Sequence, residues 1–277
     1  MHYYIYSLNK GLDEDIVWRS DIFPLVRDLS ENLIDIWHYG FTEILNNAID
    51  HSSGTVAFIF ISRTAASTTM IVCDDGEGIF KKIQRNLGLH KESHSVLELA
   101  KGKLTTDPEN HTGEGIFFTS RMFDFFLILS GPVYFAHKFE IREDLLIKLE
   151  PFKPSLESGT IVYMEISNNI DRTTKQVFDS FTTDDDYLFT KTVVPVLLAQ
   201  YGDDKLFSRS QAKRLLARVN KFKVVILDFD GVKSIGQAFS DEIFRVFSHS
   251  HPEIELGYVN ANKDVQHMIK RAKFRDE

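Results

Sequence analysis

The 277-residue chain has a single cysteine, Cys73. No intrachain disulfide can form, and a reducing compartment is the expected setting. No apolar run reaches the roughly eighteen residues that span a bilayer, so no membrane partner is expected. The opening Met1-His-Tyr-Tyr-Ile-Tyr has neither the basic start nor the apolar stretch of a secretory signal, and the cytoplasm is the expected location. Positive charge is also short. Against 40 Asp and Glu stand 32 Lys and Arg, a net charge of −8, which argues against a broad face for nucleic acid. The phosphate-loop pattern G-x-x-x-x-G-K-[ST] occurs nowhere, and Lys81 stands where a dinucleotide fingerprint needs its third glycine.

The length suits two domains. The 23 phenylalanines, spread through periodic segments, point to core packing rather than stacking platforms. The stretch that organises the first part is Phe41 to Ser52. Trp37, Phe41, Ile44, Leu45 and Ala48 recur at helical spacing and predict a core-facing stripe. Glu43 and Asn47, with Asp50 three residues on, stack on a flank of the same helix. There a carboxylate can take a proton and a carboxamide oxygen can ligate a hard cation; a solvated polar flank has the same spacing.

A strand over Met1–Ser7 and a helical region from about Ile16 to Ser30, with Pro24 marking a break or a helix start, precede this helix. Gly54 is the expected C-terminal cap. Thr55–Ile61 and Thr68–Cys73 then predict a hairpin. Its second strand runs into Asp74-Asp-Gly-Glu-Gly-Ile79, which places the Asp74 carboxylate at a strand end beside two alternating glycines that let a flat ligand approach the backbone. Lys81 to Asn110 is polar and irregular, helical only over Ser95–Ala100, as in a loop that closes over a ligand. His111-Thr-Gly-Glu-Gly115 precedes an apolar helical run, and glycines at a helix start expose N–H groups to phosphate. Arg121 on that helix either assists a phosphate or is solvated. Strands are expected over Phe126–Leu129, Val133–Ala136, Leu145–Leu149 and Ile161–Ile166, the last preceded by Gly159-Thr160. The polar stretch Ser167–Thr174 is the candidate domain boundary.

Glu43-x-x-x-Asn47, Asp74-x-Gly76-x-Gly78, Gly113-x-Gly115 and Gly159-Thr160 stand in an order that resembles the GHKL ATPase superfamily, which includes gyrase B, Hsp90, sensor histidine kinases and MutL, with anti-sigma-factor kinases as close relatives. The resemblance covers residues 1 to about 170 and implies an α/β sandwich of the Bergerat ATP-binding type, with a lid at about 81–112. It implies ATP and Mg²⁺ as ligands. Asn47 would hold the metal and Glu43 would be the general base. Asp74 would accept from the adenine amino group, with Gly76 and Gly78 lining the base pocket. Gly113 and Gly115 would meet the phosphates, Thr160 would support Asp74 through water, and Asp50 would be a further polar nucleotide contact. No phosphoacceptor-histidine helix precedes these motifs, and nothing matches the lysine-bearing domain that follows in gyrase-like and Hsp90-like proteins.

From 171 to 277 the pattern changes to alternating strands and helices. Strands are expected over Thr190–Leu198, at an edge because of Pro195, and over Val224–Asp230 and Ile254–Val259. Helices are expected over Ser208–Val219, Gln237–Ser248 and Lys263–Lys273. This predicts a smaller α/β domain on a mainly parallel sheet. Leu227 to Ile243 resembles the strand-loop-helix of STAS-like domains, in which anti-sigma-factor antagonists carry a phosphorylated Ser; here Gln237 takes that place, with Ser234 and Ser240 nearby. Asp228 and Asp230 resemble an acidic phosphotransfer or metal cluster, or are solvated strand-end acids, and His249-Ser-His251 lacks further ligands. The whole chain is therefore expected to be α+β. The expected function is an ATP·Mg²⁺ protein that hydrolyses ATP or transfers phosphate, coupled to a STAS-like domain that meets a protein partner. The alternatives are a nucleotide-gated interaction module without catalysis and, disfavoured by the acidic charge, a DNA-associated ATPase.

Overall fold

A computed structural model describes residues 1–9, 11–104, 113–138, 143–145, 158–183, 188–200 and 205–273. Two compact units divide the chain. The first holds Met1–Val96 and Leu104–Ser180, the second Leu97–Lys103 and Phe181–Glu277.

In the first unit, strand β1 (His2–Ser7) precedes two short helices, α1 (Glu14–Val17) and α2 (Phe23–Val26), joined through a wider π turn at Trp18–Ile22. Pro24 falls in the first turn of α2, where its missing N–H costs nothing. Helix α3 (Glu31–His51) follows, and all five residues of the predicted stripe are buried. It ends differently from expectation. Ser52 is the cap and Ser53 takes the left-handed conformation (φ 58°), while Gly54 fits under the Asp75 carboxylate and the Gly76 N–H.

Strands β2 (Val56–Arg63) and β3 (Ser67–Asp74) form the hairpin. The segment after β3 is more regular than its polarity suggests: α4 (Ile79–Leu87) buries Phe80 and Ile83 and stops at Gly88, whose φ of 60° suits glycine. Next come α5 (His94–Lys101), α6 (Gly115–Met122), β4 (Phe125–Ser130), β5 (Val133–Lys138), β6 (Glu143–Leu145) and β7 (Thr160–Ser167). The strand expected over Leu145–Leu149 reaches the described residues only at Leu145, and residues 105–112 of the expected lid lie outside them.

The seven strands run in the order β1-β2-β3-β7-β4-β5-β6, and every pairing is antiparallel. On one face Ala57, Ile59, Ile61, Met70, Val72, Val162 and Met164 are buried; their alternates, including Phe58, Phe60, Ile71 and Tyr163, keep some exposure. Because β7 inserts beside β3, Thr160 becomes the cross-strand partner of Asp74 although far from it in sequence.

The polar stretch 167–174 is strapped down rather than free. The Asn32 side chain donates to the Ile170 and Arg172 carbonyls at 2.9 Å, and Arg172 pairs with Asp124 at 2.6 Å. Helix α7 (Thr174–Asp179) then adds Phe178 against Phe118 and Tyr39, so the first unit runs on to Ser180.

The second unit contains β8 (Lys191–Pro195), α8 (Arg209–Leu216), β9 (Val224–Asp228), α9 (Gln237–Asp241), α10 (Ser248–Ser250), β10 (Glu255–Val259) and α11 (Lys263–Lys273). A π turn over Glu242–Phe247 joins α9 to α10. The sheet order is β10-β9-β8, wholly parallel, with β8 and its Pro195 at an edge. Ser208 begins α8 with a full capping box to Gln211.

Candidate functional site

Glu43 and Asn47 lie one turn apart on α3, and the end of that helix is fastened to the turn after β3. Lys82 Nζ donates to the His51 carbonyl at 2.6 Å, and the Glu77 N–H donates to the Ser52 carbonyl at 3.0 Å. Gly76 lies so close to Ser52 that a Cβ would overlap its carbonyl. The missing side chain at Gly76 therefore lets the Asp74–Gly78 turn dock on α3; the space is filled by Ser52, not open to a flat ligand. From Ser52 back to Glu43 is about 13 Å along the helix axis at 1.5 Å per residue.

The two adjacent acids of the turn have separate tasks. Asp75 accepts from the Thr55 N–H and hydroxyl, both at 2.6 Å, and from the Val56 N–H at 2.9 Å. These bonds, the Thr55 hydroxyl foremost, hold its carboxyl below the usual range and make it a brace for the hairpin. Asp74 turns inward. Burial pushes its carboxyl up to about 6, against the opposing effect of bonds from the Gly76 N–H (2.9 Å) and from the backbone and hydroxyl of Thr160; neighbouring Asp75 adds a further upward push. Thr160 thus stands directly across the strand pair from Asp74. Its hydroxyl also accepts the Ile79 N–H at 3.1 Å, which ties the start of α4 to the same acid.

Gly78 (φ 92°) and Gly159 (φ 91°) occupy conformations that L side chains rarely adopt. A Cβ on Gly159 would overlap the Asp74 carbonyl, and one on Gly78 would strike the Ser130 hydroxyl, which itself donates to the Gly159 carbonyl at 2.9 Å.

About two and a half turns back along α3 from Ser52, Glu43 reaches the first turn of α6. A Cβ on Gly115 would fall on its carboxylate, so a side chain there would displace Glu43. Gly113 (φ 72°) closes against the backbone of Leu104, whose N–H donates to the Gly113 carbonyl at 3.1 Å. Tyr39, one turn before Glu43, is a residue the sequence reading passed over although it shares the four-residue spacing of Glu43 and Asn47. Burial first, then the charges of Glu43 and Glu114, raise its phenol far above the normal range, so it stays neutral. The Asn47 Nδ2 donates to the Glu43 carbonyl at 2.7 Å, which turns its oxygen away from that bond. That oxygen is the correct donor type for Mg²⁺. Among the described residues no group of three or more His, Cys, Asp or Glu could hold a metal, so a cation at Asn47 would draw its remaining ligands from phosphate and water. Asp50 is exposed near the end of α3. Arg121 is not solvated. It is 7% exposed, folds over the Phe117 ring and donates to the Phe117 carbonyl at 2.9 Å.

In the second unit Asp228 is buried at its strand end, while Asp230 is exposed. Asp228 accepts from the Asp230 N–H at 3.0 Å and the Asn260 side chain at 2.8 Å. Ser240 is fully buried and donates to the Met268 carbonyl, while Ser234 is exposed. His251 stacks on Phe247.

Residues 211–266 match the family model of a STAS-like domain of unknown function (DUF4325), less than half of the chain. This gives the second unit its class: its C-terminal part is STAS-like. No curated protein and no solved structure matches the chain.

Proposed function

We propose that the first unit binds ATP with Mg²⁺ in the manner of GHKL ATPases and hydrolyses it or transfers its terminal phosphate, with the STAS-like unit as the regulatory or output part. The observation that carries this reading is the fastening of α3 to the Asp74 turn. One rigid helix thereby links a half-buried strand-end carboxylate to a second carboxylate at a glycine-bearing helix start, over a length that a nucleoside triphosphate can bridge.

In this reading Asp74 accepts the amino group of adenine, with Gly78 beside it. Asn47 offers its oxygen to Mg²⁺, which neutralises phosphate charge when bound. The N–H groups around Gly113 and Gly115 receive phosphate, and Asp50 lies at the edge of the site. Glu43 accepts the proton of the attacking water or hydroxyl. For transfer within the chain, the exposed Ser234 is the acceptor and the buried Ser240 is not. A protein partner would be met by the STAS-like unit.

Calorimetry with ATP and Mg²⁺, paired with a phosphate-release assay, tests this. Wild type should bind and turn over, and Asp74→Asn should not bind. Glu43→Ala should still bind while losing turnover by about 10²–10⁴-fold, the usual share of a general base. Undiminished turnover in Glu43→Ala would sink the mechanism. Binding with neither phosphate release nor phosphoprotein would instead favour the nucleotide-gated interaction module.

A further inference from the structure

Between the Asp74–Gly78 turn and the Gly113–Gly115 turn, the chain leaves the first unit at Leu97 and returns to it at Leu104. Within the second unit Leu97–Lys103 is held by a buried charge network. Lys101 is 1% exposed, and its three N–H donors meet three acceptors: Glu98 at 2.8 Å, the Arg214 carbonyl at 3.0 Å and the Ala217 carbonyl at 2.8 Å. Arg214 lies in the last turn of α8 and Ala217 caps it, so a cation sits where the helix end leaves carbonyls unpaired and the dipole is negative. Glu98 also receives Arg218 at 2.9 Å, and the Lys101 carbonyl accepts the Thr192 hydroxyl of β8 at 2.7 Å.

The network ends on one peptide group, Lys103–Leu104. Its carbonyl accepts from Arg218 Nη2 at 2.8 Å and Lys221 Nζ at 3.3 Å, bonds of the second unit. Its N–H donates to the Gly113 carbonyl at 3.1 Å, a bond of the first unit. A peptide group is planar and rigid, so a displacement of its oxygen displaces its N–H. Gly113 has no side chain because the Leu104 backbone fills that space, and two residues later Gly115 faces Glu43.

We propose that Leu97–Lys103 is a tether through which the STAS-like unit controls the Gly113–Gly115 turn, so that events in the STAS-like unit regulate the phosphate end of the nucleotide site. The regulatory consequence rests on the ATP reading; the mechanical link does not. Arg218 is the working joint, since it grips both Glu98 and the Lys103 carbonyl.

Amide hydrogen exchange on the full chain without nucleotide tests the link. Arg218→Gln should speed exchange at Leu104 and in the first turn of α6 about tenfold, the scale of losing a charge-assisted hydrogen bond. Asn260→Ala, which removes the Asp228 contact elsewhere in the same unit, should leave those amides at the wild-type rate. The tether is overturned if Arg218→Gln affects only Leu97–Lys103 and α8, or if Asn260→Ala has the same effect on α6. Lys101→Met should exceed Arg218→Gln in effect; if it does not fold, Arg218→Gln decides. A nucleotide arm separates the two claims. Where wild type binds ATP, Arg218→Gln should weaken binding about five- to tenfold, the lower range of allosteric coupling, and unchanged affinity would overturn the regulatory part. A wild type that binds no ATP defeats the nucleotide reading and with it the regulatory part, while the exchange result still decides the mechanical link.

Discussion

Asp74 in the first unit is half-buried and Lys101 in the second fully buried; both are ionisable groups, and their surroundings are opposite in kind. Lys101 has an acidic partner, Glu98, and an acceptor for each of its N–H donors. Asp74 receives neutral donors, from Gly76 and Thr160, and the neighbouring charge that acts on it is Asp75, of its own sign. A fully matched buried charge is a structural part, costly only to break. A half-buried acid held by neutral donors, its carboxyl raised to about 6, has capacity to spare for a further N–H, a pattern that recurs at functional sites.

The largest expected effect tests the structural side of this contrast. Lys101→Met leaves Glu98 buried with only Arg218 and strips two carbonyls at the end of α8, so the second unit should lose about 3–5 kcal/mol in urea unfolding followed by hydrogen exchange. A loss under 1 kcal/mol would make the network a surface-like pair and erase the contrast. Asp74→Asn should act in the opposite sense. The folded Asp74 titrates near 6, above the ordinary 3.8. Folding therefore favours its neutral form, and that contribution is complete below about pH 3.8 and lost as pH rises through about 6. At pH 7 the Asn variant should be more stable than wild type by up to about 3 kcal/mol, at 1.36 kcal/mol per pH unit, with the difference vanishing near pH 3.5. Urea titrations at the two pH values check this; an Asn variant less stable at pH 7 would show that Asp74 is a structural acid like Glu98.

Gly76→Ala should cost about 2 kcal/mol through overlap with the Ser52 carbonyl. Exchange at the last turn of α3 should rise with it, because the same contact fastens the helix; a neutral Gly76→Ala would remove the fastening on which the site depends. The smallest effect is Thr192→Val, which deletes the bond to the Lys101 carbonyl and should cost about 1 kcal/mol in the second unit alone.

The sequence exposed some of this directly and hid the rest for physical reasons. The α3 stripe, the hairpin, the capped α8 and the strand-helix alternation after Thr190 were legible because burial periodicity and capping are local. Helix α4 carried the same signals, Phe80, Ile83 and a glycine stop, yet its polar face disguised it as loop. The stretch 167–174 looked like a linker because its polar residues gave no sign of which carbonyls and acids they would bind across the fold. Glu43, Asn47, Asp74 and the paired glycines could be picked out as candidates, but the reason for each glycine could not. Gly76 answers to Ser52, Gly115 to Glu43 and Gly159 to Asp74, each remote in sequence or resolved only by the turn.

By itself, then, the sequence determined most of the elements, the parallel C-terminal sheet and the positions worth suspecting, since these follow from side-chain period and turn chemistry. Tertiary structure decided that β7 inserts beside β3 and brings Thr160 to Asp74. It also decided that Asp74 is the more buried of the two adjacent acids, and that Leu97–Lys103 belongs to the second unit. Those outcomes depend on strand order and on which distant groups share a buried space, and no local pattern encodes either.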